Sequence, residues 1–134
     1  MDTSDKVDKI NKAFARLTDV YAPEKGDPAD GALSVVLTGS AQKAFTLRIE
    51  GDECSFEEGE ADDAKVKVIA RPEIFYSVVR GEMSPMNAVM TGRMNVKGSM
   101  SFLQDFEKYF TDMPEGYDPK GEDFWSKVRF LMDE

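Results

Sequence analysis

Val7, Ile10, Phe14, Leu17 and Tyr21 recur at steps of 3, 4, 3 and 4, which is one face of a helix over residues 4–21. Ser4 stands where an N-cap belongs. The polar run from Pro23 to Pro28 ends the helix in a loop. The stripe lasts less than three heptads, so it predicts a helix packed on a core rather than a coiled coil. Three alternating runs follow: Leu33, Val35, Leu37; then Phe45, Leu47, Ile49; then Cys54 and Phe56. Period-two alternation marks strands with one face buried and one wet. The connections at 39–42 and 50–52 are short enough for hairpins, which predicts an antiparallel meander. The acidic run Glu57 to Asp63 lacks the ordered ligand spacing of a calcium loop and reads as a solvated turn.

A fourth strand places Val66, Val68 and Ala70 on one face and Lys65, Lys67 and Arg71 on the other. Pro72 suits a first helical position, and Ile74, Phe75, Val78 and Val79 form that helix's apolar face. Gly81 ends it at C′. Ser84 and Pro85 open a second short helix as N-cap and N1. On it Met83, Met86 and Met90 share one side, and Gly92 stops it. Met94 and Val96 point inward on a short fifth strand. Gly98-Ser99 then turns the chain into a helix faced by Phe102, Leu103, Phe106, Tyr109 and Phe110. Residues 112–121 read as a loop, and Glu122 to Met132 as a last amphipathic helix carrying Phe124, Trp125, Val128 and Leu131.

At 134 residues the chain is predicted to be one domain, 1–134, with a real core. Its 17 Lys+Arg stand against 26 Asp+Glu, a net charge of −9. That balance argues against nucleic acid as a partner and against anionic membrane surfaces. Cys54 is the single cysteine, so no intrachain disulfide forms, as fits a reducing compartment. The charged start MDTSDKVDK lacks the apolar run of a signal peptide, and no apolar run is long enough to span a bilayer. Together these predict a cytoplasmic protein with no stable membrane insertion.

There is no histidine, which removes the commonest general base and the commonest zinc ligand. One cysteine without histidine builds neither a structural zinc site nor a Cys-His or Ser-His unit. No GxGxxG or GxxxxGK[ST] nucleotide cradle is present. The surface acids form no distinguishable pair. Cys54, on an inward strand face beside acids, is expected to be unreactive. The chain therefore reads as a binding module without cofactor or metal, not an enzyme.

The order helix, three-strand meander, strand, two short helices, strand, helix resembles the sterol carrier protein type 2 (SCP2) family. The match is densest from Phe45 to Phe110. It rests on Gly81, Pro85, Ala88-Val89-Met90-Thr91-Gly92, Arg93, Met94-Asn95-Val96-Lys97 and Gly98, with Phe45 to Gly51 similar to the family's second strand and turn. Arg71-Pro72 departs from the small polar cap often found before the paired helices. The C-terminal Met132-Asp133-Glu134 carries no peroxisomal address, which makes the chain more similar to a prokaryotic-type, stand-alone member.

The resemblance implies an α+β fold: a five-stranded, mostly antiparallel sheet with helices packed on one side. It implies an apolar tunnel between sheet and helices for a fatty acid, fatty acyl-CoA or sterol-like lipid, and lipid transport without bond chemistry. On this reading Phe75, Val79, Met83, Met86, Met90, Met94, Phe102 and Phe106 wall the tunnel, and Phe124 and Trp125 sit on its lid. Methionine suits such a wall because it is flexible and polarizable, and it equally suits a closed core. The alternative is an accessory or dimerisation module with a filled core, acting in a lipid or quinone pathway. Its C-terminal helix would dock on a partner or on a second copy as a homodimer.

Overall fold

The computed structural model describes residues 2–22, 30–39, 43–106, 109–110 and 124–133, with the backbone alone at 104, 124–127 and 133. The expected loops at 23–28 and 112–121 and the side chains of Phe124 and Trp125 lie outside the described residues.

Helix α1 spans Thr3–Arg16 and continues as a 3-10 turn, Leu17–Val20. Its cap is Asp2 rather than Ser4: the Asp2 carboxylate accepts from Asp5 N–H at 2.9 Å. An anionic side chain there satisfies an orphan donor and also meets the positive end of the helix dipole. The α-helix tightens earlier than the apolar spacing predicts, where the Thr18 hydroxyl donates to Ala15 O at 2.8 Å. The stripe still buries Val7, Ile10, Phe14 and Leu17.

Strands β1 (Gly31–Leu37), β2 (Lys43–Glu50) and β3 (Glu53–Glu58) form the expected antiparallel meander. Strand β4 (Val66–Ala70) pairs with β1 in parallel, Leu33 opposite Val66, and β5 (Met94–Gly98) pairs antiparallel with β4. The sheet order is β3-β2-β1-β4-β5. The chain must therefore cross β2 and β1 between β3 and β4. A crossover of residues 59–65 does so on the outer face, away from the helices.

The polar groups of that crossover are satisfied in one direction. The Thr46 hydroxyl donates to Gly59 O at 2.8 Å, so its own oxygen accepts the Ser34 hydroxyl at 2.7 Å. Ser34 in turn accepts Ala61 N–H at 3.0 Å. Both hydroxyls are buried, and no carboxylate takes part. Two acids of the run are engaged at its rim: Asp63 with Arg48 through two contacts of 3.0 Å, and Glu60 with Lys67 at 2.6 Å. The Arg48 guanidinium holds the Asp63 carboxyl below the usual carboxylate range. The run is solvated, as expected, and it is also a strap bonded to the sheet.

Helices α2 (Pro72–Val79), α3 (Pro85–Met90), α4 (Met100–Phe106) and α5 (Phe124–Asp133) complete the described fold. The inner sheet face (Leu33, Val35, Leu37, Phe45, Leu47, Ile49, Val66, Val68) forms one core with the buried faces of the helices. Phe14 of α1 lies at its centre, with ring centroids 4.9 Å from Phe45 and 5.8 Å from Phe75. No described helix is long and apolar enough to cross a membrane.

Candidate functional site

The apolar wall expected from the sequence is only partly assembled. Phe75 and Val79 of α2, Met94 of β5 and Phe106 of α4 are fully buried, and Phe102 nearly so. Phe102, Phe106 and Phe110 follow one another in tilted ring contact, with centroid spacings of 5.8 and 5.2 Å. Lys65 Nζ lies 5.4 Å above the Phe102 ring. Met83 is half-buried against the core.

Met86 and Met90 do not join this wall. They are 72% and 79% exposed and face outward, which corrects their expected placement on the interior side. The reason is angular. Successive helix residues are about 100° apart, so residues two before and two after Ala88 point almost opposite to it. Ala88 is the fully buried residue of α3. The spacing of the methionines shows that they share a face, and the small residue between them decides which face it is.

A second region, unmarked by the sequence reading, lies where α5 packs on α1. A groove of about 320 Å³ is lined by Lys9, Lys12, Ala13, Ala15, Arg16, Leu131 and Met132. Lys9, Lys12 and Arg16 follow one another at i, i+3 and i+7, so they flank the apolar stripe of α1 as a cationic edge. That spacing was the available signal.

Two arginines fix α5 over this groove. Arg16 Nη1 donates to Leu131 O at 3.0 Å. Arg129 Nε donates to Val79 O at 2.6 Å. Each guanidinium thereby satisfies a carbonyl in the last turn of another helix, where none is available within that helix. Gly81 makes the second contact possible. It sits at φ +79° as the C′ residue of α2, with Gly81 N–H on Val78 O and Glu82 N–H on Ser77 O. A Cβ at Gly81 would lie 2.7 Å from the Arg129 guanidinium. Val128 and Leu131 of α5 are buried beneath.

Neither region offers assembled bond chemistry. Among the described residues no cluster of His, Cys, Asp or Glu could hold a metal ion. Burial on the inner face of β3 pushes the Cys54 thiol up to about 12; the cause is desolvation, not the neighbouring acids that the sequence suggested. A thiol held neutral by burial stabilises the fold below the ordinary thiol pKa and loses that contribution as pH rises above it. At pH 8, native Cys54 is expected to react with iodoacetamide on the order of a thousandfold more slowly than in urea-unfolded chain. Mass spectrometry of timed quenches measures this, and equal rates would show that the thiol is open.

The family described as the SCP-2 sterol transfer family matches residues 10–111. No curated protein sequence matches the chain. Among solved structures, a double mutant of the sec-alkyl sulfatase PisA1, a Pseudomonas sp. protein, aligns with TM-score 0.64 at 15% identity. That alignment covers 79% of this chain and only 17% of the sulfatase, so the chain spans about a sixth of that protein. Sterol Carrier Protein-2 from Aedes aegypti, solved in complex with the C16 fatty acid palmitate, aligns with TM-score 0.58 at 15% identity, covering 79% of this chain and 97% of that one. The UbiJ-SCP2 ubiquinone synthesis protein aligns over 100% of this chain and 98% of its own, with TM-score 0.54 at 14% identity. Identities this low establish a shared fold and nothing finer. The match of the family pattern is of another kind: it runs from Ile10 in α1 through all five strands to the segment after α4, and on it the chain belongs to the SCP-2 sterol transfer family.

Proposed function

We propose that this protein binds the hydrocarbon chain of a lipid, without chemistry, beneath its C-terminal helix. The observation that carries this reading is the groove between α1 and α5. Its volume of about 320 Å³ lies at the lower end for small-molecule sites, which favours a single acyl chain over a rigid ring system. Ala13, Leu131 and Met132 give the chain an apolar bed, while Lys9, Lys12 and Arg16 suit an acidic head. A fatty acid or fatty acyl-CoA therefore fits better than a sterol-like lipid. The palmitate complex of the Aedes aegypti protein, which shares the fold, supports the same choice.

On this reading Phe75, Val79, Met83, Met94, Phe102 and Phe106 form the interior that a longer ligand would enter. Phe124 and Trp125 belong to the lid. Opening requires release of the Arg16 and Arg129 contacts to Leu131 and Val79.

A fluorescent fatty-acid analogue is expected to bind saturably and to be displaced by palmitate. Ala15→Trp, which fills the groove from its half-exposed rim, is expected to weaken binding by about fivefold or more with an unchanged melting temperature. No displaceable signal across fatty acids, acyl-CoA and sterols would overturn the reading. It would favour the accessory module with a filled core.

A further inference from the structure

The two edges of the sheet are not equivalent. β3 and β5 are its outer strands, and among the described residues no strand pairs with the far side of either. An unpaired edge offers a row of N–H and C=O groups to any strand that fits, and charge is the usual means of blunting it. β3 is blunted in this way. Paired with itself about its middle, it would set Glu53 against Glu57 or Glu58. β5 carries no carboxylate. Nor does the whole run from Met83 to Gln104, in a chain with 26 Asp+Glu and a net charge of −9. Two copies of so acidic a chain repel over most of their surfaces and least along this run.

The register of the sheet shows which groups of β5 are open. Ala70 O accepts Thr38 N–H on the β1 side. Alternate residues of β4 therefore turn their backbone groups to β1, and Lys67 and Ile69 turn theirs to β5. Their partners Lys97 and Asn95 make the ladder bonds. Ser99 N–H on Lys65 O continues the same alternation. Met94, Val96 and Gly98 thus present their N–H and C=O groups away from β4, to the open edge.

We propose that β5 pairs antiparallel with the β5 of a second copy, about a twofold axis at Val96, and joins two sheets into one. In this register Val96 exchanges both backbone bonds with its counterpart, and Met94 does so with Gly98 of the other copy. Every outward group of the strand is satisfied. On the outer face Asn95 comes opposite Lys97 of the other copy, and Arg93 opposite Ser99, so no like charges meet. On the inner face Val96, half-buried in one copy, is covered by its counterpart. The ends of the strand add apolar surface. Met86, Val89, Met90 and Met100 are the exposed large apolar side chains of the described residues, and all flank β5 in the chain. Met90 precedes Met94 by four residues and Met100 follows Gly98 by two, so their Cα atoms lie within about 15 and 8 Å of the strand's ends. Antiparallel pairing brings the start of one β5 to the end of the other, and with it Met90 of one copy toward Met100 of the other. No residue of β5 lines the α1–α5 groove, so this pairing is independent of the ligand reading.

Sedimentation equilibrium of the full chain, from micromolar to submillimolar concentration, tests the proposal. The expected result is a reversible dimer. Asn95→Lys sets like charges against Lys97 on both sides of the axis and should weaken that dimer by about tenfold or more, whereas Asn95→Glu should tighten it by about threefold. Asn95 is exposed, so neither change disturbs the core. Val96→Pro removes an N–H that faces the open edge, where an outer strand tolerates proline, and should leave monomer alone. Thermal melts check that each variant is folded. Monomer at every concentration would overturn the proposal. So would a dimer on which the two charges at position 95 act alike, since the contact would then lie elsewhere, as on α5.

Discussion

Replacing Gly98 by alanine is expected to cost the fold about 3 kcal/mol or more, among the larger effects available to one methyl group. Gly98 ends β5 at φ +106°, a conformation that residues with a side chain rarely adopt. The added Cβ would lie 2.2 Å from Lys65 O and 3.1 Å from Val66 Cα, which are backbone atoms of the neighbouring strand with no rotamer to escape into. The close approach also makes a bond: Ser99 N–H reaches Lys65 O at 2.8 Å, just where the chain turns into α4. Relief of the clash would break that bond and pull β5 off its register with β4, in which Gly98 faces Val66. Gly31→Ala is the natural control. Its Cβ would also be crowded, at 2.8 Å from Lys65 Cδ, a flexible stem that can swing away, and 2.9 Å from Phe102 Cε1, a packed ring that must give by a few tenths of an ångström but is not backbone. Its expected cost is nearer about 1 kcal/mol. Urea denaturation decides: the Gly98 variant should show the lower midpoint with an unchanged slope. A cost below that of Gly31→Ala would show that β5 and α4 can shift freely.

Phe14→Ala is expected to cost about 3 to 5 kcal/mol, the usual range for removing a buried ring. Phe14 is fully buried where α1, α2 and the sheet meet, in ring contact with both Phe45 and Phe75. The hole could not close by a side-chain shift, because β2 and α2 are each held by their own hydrogen-bonded neighbours. Part of the loss belongs to the rings as a set. A double-mutant cycle of Phe14→Leu with Phe75→Leu should give a coupling of about 0.5 to 1.5 kcal/mol. A coupling near zero would reduce their tilted contact to plain apolar burial.

The elements themselves were legible in the sequence because each has a local cause. Pro72 and Pro85 open α2 and α3, Gly81 and Gly92 end them, and period-two alternation marks every strand. What was not legible is what depends on residues distant in sequence. The parallel pairing of β1 with β4 is set by a strap whose key groups, Ser34 and Thr46, look like ordinary solvent-facing strand residues until Gly59 and Ala61 lie over them. The outward turn of Met86 and Met90 follows from Ala88, the least conspicuous residue of its helix. The groove is not legible from α1 alone, because its other wall, Leu131 and Met132, comes from the far end of the chain.

The pairing of α1 with α5 also bears on how such a fold travels between proteins. Arg16 and Leu131 touch, and Thr3 is only about 20 Å back along α1 at 1.5 Å per residue. The first and last described helices are therefore neighbours. A unit whose first and last described helices pack on each other closes on its own contacts, so it can sit within a larger chain with few contacts to its host. The same fold occupying 17% of an alkyl sulfatase chain fits that portability.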